Sequence, residues 1–443
     1  MARAWFGTDG IRGTANERLS AELALRVGRA AALRIGGAPT ILIGRDTRRS
    51  GPMLEDALAA GIAAAGGRAV RLGVVPTPAV AWAVREHGAA GGIVVSASHN
   101  PFPDNGIKLF GPDGHKLLDA AEEEIEALLD HAGPGPTGAD VGWSEAAPGA
   151  GEAYAQWVAD RAGVDLRGLR IVVDCANGAA VGVAPALFAA LGADAELTAC
   201  DPDGVNINVD CGSTHLDHVA AAVRAAGADL GIAFDGDADR VLFCTGAGDP
   251  VDGDHVLAIL ARDLLERGAL PGNRVVVTSM ANLGAHRALA ELGCVVEVTD
   301  VGDRYVLEAM LRDGAALGGE QSGHVIALDH QTTGDGPLTA VLVLAALARS
   351  GQSLAEAAAL VEKYPQRLIS VRADRTGLGD AAAVHAAVRE AEAELGDDGR
   401  VVLRASGTES LVRVMVEARD AAVCERIAVD LATLVERELP VTG

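Results

Sequence analysis

Residues Arg170–Thr198 read RIVVDCANGAAVGVAPALFAALGADAELT, and this stretch decides the fold. A β-branched apolar run, Arg170-Ile-Val-Val-Asp174, opens into a polar loop, Cys175-Ala-Asn-Gly178. An alanine- and leucine-rich helical run near Ala184–Leu191 follows, then Gly192 as a stop, then Ala195-Glu-Leu-Thr198. Apolar runs this short with β-branched residues, alternating with helical periodicity and a glycine stop, read as a βαβ unit with buried strands.

The pattern occurs three times. An earlier copy runs Thr40-Ile-Leu-Ile-Gly44, a loop with Arg45 and Asp46, a helix over Met53–Ala65, the stop Gly66-Gly67 and Ala69-Val-Arg-Leu-Gly73. A later one runs Arg274-Val-Val-Val-Thr278, the loop Ser279-Met-Ala-Asn282, a helix near Ala285–Leu292, Gly293 and Val295-Val-Glu-Val298. Three copies predict three related mixed α/β-sheet domains. The alternative is one large doubly wound sheet, but a chain of 443 residues exceeds the size at which a single core stops growing, roughly 250–300 residues. The glycine- and proline-rich segment Gly133–Gly151 reads as a connector or domain edge. Beyond Tyr364-Pro365 the pattern changes to strands at Arg367–Val371, Val401–Leu403 and Leu411–Glu417, with helices at Ala381–Leu395 and Ala421–Glu438. This is a smaller C-terminal α+β domain. The expected domains are 1–150, 151–252, 253–365 and 366–443, arranged around a central cleft.

Composition narrows the function class. The net charge of −24 argues against nucleic acid or an anionic membrane as the main partner. A small anionic substrate fits if the few cations gather in one place. No window holds 18 uninterrupted apolar residues, so a transmembrane helix is not expected. MARAWFGTDG at the N-terminus lacks the apolar stretch of a secretory signal. Six cysteines without CxxC spacing favour reduced thiols and a cytosolic home over a disulfide framework or a zinc site. A homodimer is left open.

In α/β units ligands gather at the C-terminal ends of strands, so the loops there carry the chemistry. Asp235-Gly-Asp-Ala-Asp-Arg240 follows the apolar run Leu230–Phe234. On extended backbone Asp235, Asp237 and Asp239 project to one side, and carboxylates so close call for a cation. All-oxygen ligands suit Mg²⁺ or Mn²⁺. An EF-hand is excluded because its glycine and glutamate positions hold Arg240 and Gly246. Val94–Phe110, VVSASHNPFPDNGIKLF, places a hydroxyl, an imidazole and one of only three lysines in the chain at a strand end. Ser98 becomes a nucleophile for phosphoryl transfer if a metal neutralises the group in flight, with His99 and Lys108 adding proton capacity or charge. Neighbours on extended backbone point apart, so the Ser-His pair alone is a weak signal.

Three further loops are glycine-rich. In Gly318-Gly-Glu-Gln-Ser-Gly-His324, Glu320 and Ser322 offer acceptors for sugar hydroxyls, and His324 offers proton transfer. Arg404-Ala-Ser-Gly-Thr-Glu-Ser410, with Arg413 beyond it, combines guanidinium, hydroxyls and exposed amides as a phosphate cradle. Gly7-Thr-Asp-Gly-Ile-Arg-Gly13 carries Arg12 and matches neither nucleotide-binding glycine pattern. Arg12, Lys108, Arg240, Arg404 and Arg413 are expected to converge on one phosphorylated sugar.

Taken in order, GTDGIRG, SASHNPFPDNGIKLF, DGDADR, VGDRYV (Val301–Val306), GEQSGH and RASGTES resemble the α-D-phosphohexomutase superfamily over essentially the whole chain. The resemblance implies three related α/β domains and a fourth of different fold. It implies that Ser98 carries a phosphoryl group and binds one Mg²⁺ together with Asp235, Asp237 and Asp239. Arg12, His99, Lys108 and Arg240 would line the transfer site, with His324 nearby. Gly302, Arg304, Glu320 and Ser322 would meet the sugar, and Arg404, Ser406, Gly407, Thr408 and Arg413 would hold the distal phosphate. The activity implied is reversible conversion of glucosamine 6-phosphate to glucosamine 1-phosphate through a bound 1,6-bisphosphate, feeding UDP-N-acetylglucosamine and cell-wall synthesis. The alternatives are a phosphomannomutase or phosphoglucomutase of the same superfamily, a metal-dependent sugar phosphatase and a non-catalytic sugar-phosphate sensor. Ser410 stands where the superfamily usually has proline, which predicts a slightly looser cradle.

Overall fold

Alternation along the strands of the first unit divides its side chains between two cores. In the strand Thr40–Arg45, Ile41 and Ile43 pack with Val27, Leu54, Leu58 and Ile62, while Leu42 faces the other way, toward Val80 and Val84. The strand Gly91–Val95 repeats this, with Ile93 and Val95 on one side and Val94 on the other. A sheet buried on both faces needs such near-continuous apolar runs. The computed structural model describes residues 4–7, 9–131, 133–405 and 410–440.

Among the described residues four separate sheets form, which excludes the single doubly wound sheet. Three of them share one arrangement. In the first, Arg68–Val74, Thr40–Arg45 and Gly91–Val95 lie side by side and parallel, and Asp104–Phe110 returns antiparallel. The second repeats it with Asp194–Thr198, Arg170–Asp174, Leu230–Phe234 and Val241–Thr245. The third repeats it with Val295–Thr299, Arg274–Thr278, Leu317–Gly319 and Val325–Ala327. The tail is an antiparallel sheet ordered Gln366–Arg372, Leu411–Ala418, Gly399–Ala405, with the helices Ala382–Leu395 and Ala421–Glu438. The elements expected from the three repeats and the tail shift by no more than two residues at either end. Gly192, the expected stop, takes a φ of 70° after the helix Ala184–Leu191, where a residue with a Cβ is disfavoured.

Gly133–Gly151, read as a connector or domain edge, is the edge: it contains the strand Trp143–Ala146, which closes one side of the first sheet parallel to Arg68–Val74, and the helix Ala150–Ala159 begins within it. The close approach needs a glycine, because a Cβ on Gly142 would lie 2.0 Å from the Gly67 carbonyl oxygen. Glycine density marked backbone contact here rather than slack.

The largest apolar cluster runs without a break from Leu42 in the first unit through Phe188 and Phe234 in the second to Val361 at the end of the third. The tail has its own core, built from residues such as Val412, Val414, Ile427 and Val435. All six cysteines are free, with Cys200 and Cys294 half-buried. Among the described residues, no helix is long and apolar enough to cross a membrane.

Candidate active site

Three of the loops singled out in the sequence are the same connection in three units. Each joins the last parallel strand to its antiparallel return: residues 96–103 carry Ser98, residues 235–240 carry the aspartates, and residues 320–324 carry Glu320 and His324. Equivalent loops on packed, related units face one another, so the topology itself assembles the site.

Ser98 is buried, and its Oγ donates to Asp235 Oδ2 at 2.6 Å. Its φ is +52°, a left-handed value uncommon for a residue with a Cβ. That turn overrides the extended geometry in which neighbours diverge and brings His99 Nδ1 within 3.3 Å of Ser98 Oγ. The aspartate loop departs from expectation in the same way. It is a turn, closed by the Ala238 amide donating to the Asp235 carbonyl at 3.0 Å, with Ala238 at a φ of +53°. The carboxylates still converge, with one oxygen from each of Asp235, Asp237 and Asp239 within 4.8 Å of the others. Gly236 lets the two loops touch, since a Cβ there would lie 2.4 Å from the Ser98 carbonyl oxygen.

These three carboxylates form a metal-binding site. Asp237 Oδ1 and Asp239 Oδ1 are buried with no hydrogen-bond partner, a costly state for carboxylate oxygens that a coordinated cation relieves. Burial, then the neighbouring Asp239 and Asp237 charges, push the Asp235 carboxyl well above its usual range. Burial also pushes Asp239 up, but Lys108, His324 and Arg240 outweigh it and hold that carboxyl well below. Lys108 lies between Ile107 and Leu109 on its strand and therefore points away from their core. Its Nζ is 2.9 Å from Asp237 Oδ2, 3.3 Å from Asp9 Oδ2 and 3.6 Å from Asp239 Oδ2. Burial opposes its charge, yet the three carboxylates hold its pKa well above the ordinary value.

Of the remaining predicted residues, Arg12, His99, Arg240, Gly302, Arg304, Glu320 and His324 line a cleft of about 810 Å³. Arg12 pairs with Asp9, and Arg240 Nε lies 3.8 Å from Asp239 Oδ1. Burial, then the Arg240 and Arg12 charges, lower the pKa of His99, which favours its neutral imidazole. Glu320 Oε1 accepts from the Gly302 amide at 3.1 Å, and Ser322 Oγ donates to Glu320 Oε2 at 3.4 Å. Arg304 lines the same cleft and bonds Asp119 and Glu308. His324 is more enclosed than a free acid–base group: its Nε2 accepts from the Gly334 amide at 3.1 Å, and its Nδ1 is 3.7 Å from Asp239 Oδ1. The Asp239 and Asp303 charges outweigh burial and raise its pKa, while the Gly334 N–H disfavours a proton on Nε2, so Nδ1 is the protonated nitrogen.

Only three of the five expected cations gather. Arg12, Lys108 and Arg240 meet at the carboxylates, but Arg404 and Arg413 are paired with each other across the tail sheet, and every described residue lining the cleft precedes Val325. The tail has its own core and its own junction with the third unit, so the loops that place the other three cations do not place these. Ser406, Gly407 and Thr408 lie outside the described residues.

Several contributors went unread in the sequence. Asp9 sits among Arg12, Lys108 and Lys116, and Lys116 also pairs with Asp303. Thr77 donates to Asp237 Oδ2 at 2.6 Å. The scarcity of lysine was the available signal: two of the three lysines in the chain meet at Asp9.

Comparison with known proteins identifies this arrangement. Four family models cover the chain in order: phosphoglucomutase/phosphomannomutase alpha/beta/alpha domain I over residues 3–134, domain II over 152–248, domain III over 252–364 and the C-terminal domain over 368–434. The phosphoglucosamine mutase of Moorella thermoacetica is 51% identical over 433 residues, 96% of this chain and 98% of that one. That of Rubrobacter xylanophilus is 53% identical over 438 residues, 98% and 97% of the two chains. The chain belongs to the α-D-phosphohexomutase superfamily. A phosphoglucomutase/phosphomannomutase family protein from Burkholderia thailandensis superposes with a TM-score of 0.82 at 27% identity over 98% of both chains. For this phosphohexomutase the three-plus-one organisation read from the repeats is therefore the family organisation.

Proposed function

We propose that this chain is a phosphoglucosamine mutase, converting glucosamine 6-phosphate reversibly to glucosamine 1-phosphate. The observation that carries the reading is the 2.6 Å approach of Ser98 Oγ to Asp235, inside a cluster of three carboxylates. The substrate assignment is supported by relatives of that name at about half identity over nearly the full chain.

In this reading phosphorylated Ser98 is the donor. The bond from phosphorus to Ser98 Oγ breaks as the sugar O1 takes the phosphoryl group, giving a bound 1,6-bisphosphate. Neutral His99, beside Oγ, accepts and returns the hydroxyl proton. After the bisphosphate turns end for end, the 6-phosphoryl group returns to Ser98 and the 1-phosphate leaves. Asp235, Asp237 and Asp239 would hold Mg²⁺ together with the Ser98 phosphate; when bound, it neutralises charge on the transferring group. Lys108, Arg12 and Arg240 supply fixed positive charge beside that group. Gly302, Arg304, Glu320 and Ser322 would meet the sugar. Arg404 and Arg413, with Ser406, Gly407 and Thr408, would grip the phosphate at the other end, where a cradle that accepts either end of the sugar needs charge more than fine shape.

The test is turnover of the phosphorylated protein on glucosamine, glucose and mannose 6-phosphates side by side. Preference for the glucosamine substrate is expected. A clear glucose or mannose preference would reassign the substrate, and net release of inorganic phosphate would point to a phosphatase.

A further inference from the structure

Arg48 is the largest fully buried side chain in the protein, and none of the chemistry above uses it. Its guanidinium is saturated. Nε donates to Asp46 Oδ2 at 2.9 Å, Nη1 to the carbonyls of Pro101 at 2.6 Å and Asp104 at 3.1 Å, and Nη2 to those of Ser98 and Asn100, each at 2.8 Å. Five donors meeting five acceptors in a dry site is the geometry for which only the arginine fork is shaped. Four of those acceptors are main-chain oxygens: three in the loop that carries Ser98, and the fourth at Asp104, where the next strand begins.

The same pair reaches the other side of Ser98. Asp46 Oδ2 accepts from Ser96 Oγ at 2.5 Å, and Ser96 Oγ accepts from the Ser98 amide at 3.0 Å. The Ser98 carbonyl takes a second donor, Asn208 Nδ2 at 2.9 Å. Both peptide groups flanking the Ser98 Cα are thus tied, and between them the residue holds its φ of +52°. Backbone in that region persists only where the surroundings over-determine it. An extended conformation would turn Oγ away from His99 and Asp235.

We propose that Arg48 is a positioning residue for phosphoryl transfer, holding through Asp46 and four carbonyls the left-handed turn that aims Ser98 Oγ at the metal-binding carboxylates. The inference rests on Ser98 being the phosphoryl carrier. It assigns to Arg48 no contact with substrate, so substrate affinity is independent of it and the rate of transfer is not.

The test compares Arg48→Lys and Ser96→Ala with the wild-type chain on glucosamine 6-phosphate, measuring kcat and KM separately and normalising to the folded fraction from a thermal melt. Lysine keeps the charge but offers its donors from one point. The expected result for Arg48→Lys is a kcat lower by about a hundredfold, the cost of an ångström-scale misplacement, with KM within about threefold. Ser96→Ala, which cuts only the amide tie, should lower kcat by about tenfold with the same unchanged KM. A folded Arg48→Lys with wild-type kcat, or one whose loss falls on KM, overturns the inference. If Arg48→Lys does not fold, Ser96→Ala decides alone, and a wild-type kcat there overturns it. An inactive wild type would instead remove the underlying reading of Ser98.

Discussion

Ser98 Oγ and Asp235 Oδ2 lie 2.6 Å apart although 137 residues separate them in the chain. The contact joins the first and second repeated units, and it is the meeting on which the sequence-based expectation depended. It exists without domain movement. Of the tail's predicted residues that are described, Arg404 and Arg413, neither reaches this centre.

Removing the hydroxyl should stop the reaction. Ser98→Ala is expected to lose phosphate labelling entirely and turnover by more than about a thousandfold, since transfer has no carrier. Intact mass of both proteins after priming with a bisphosphate, paired with a coupled assay, checks it. An alanine variant with appreciable turnover would sink the mechanism.

Chelation should inactivate the protein, and Mg²⁺ should restore it. The Oδ1 atoms of Asp237 and Asp239, buried without a hydrogen bond, also predict that the ion stabilises the fold, by about 3 kcal/mol at a hundredfold excess over its Kd. Thermal melts with and without Mg²⁺ measure this. Asp237→Asn should weaken the shift, and an equal shift in that variant would count against the site.

Asp335 should make stability fall with rising pH. It caps the helix Gly336–Ser350 and accepts from Tyr154 Oη at 2.6 Å. Burial nevertheless pushes its carboxyl up to about 6, against the hydrogen bonds from Tyr154, Leu338 and Gln331 that favour its charge. Its ordinary value is about 3.9. The folded protein therefore keeps a proton that the unfolded chain has already released. The resulting stability is complete below about pH 4 and is lost as pH rises through about 6, up to about 3 kcal/mol in all. Urea midpoints across that window should fall less steeply for Asp335→Asn than for the wild type; parallel curves would refute the assignment.

Arg404 and Arg413 are direct cross-strand partners, so both side chains rise from one face of the tail sheet. Like charges so placed repel, and a phosphate between them offsets the cost. Arg413→Ala should therefore raise KM for the sugar phosphate by about tenfold or more, with a smaller effect on kcat. Steady-state kinetics separates the two. A variant with unchanged KM would remove the tail from substrate binding.

Much of this was legible because local patterns sufficed. The repeats marked the units, DGDADR marked a cation site by itself, and SASHNP gained meaning once set beside it. What stayed hidden was conformational or long-range. The left-handed turns at Ser98 and Ala238 contradict the extended reading yet bring the groups closer together. Thr77 has no motif; its role exists only because its helix meets Asp237 from another unit. Nothing in Arg45-Asp-Thr-Arg-Arg49 sets Arg48 apart from its neighbours in the sequence; its burial does.

The unbroken apolar cluster from Leu42 to Val361, set against the separate core of the tail, governs how the protein melts. The first three units share that cluster and should unfold together. The tail meets the third unit through polar ties such as Asn282 Nδ2 to Glu417 Oε1 at 3.3 Å, and its apolar core does not continue into theirs. Calorimetry should record a small endotherm apart from a large one. A sugar phosphate gripped from both sides couples the two, and the peaks should merge as the ligand saturates.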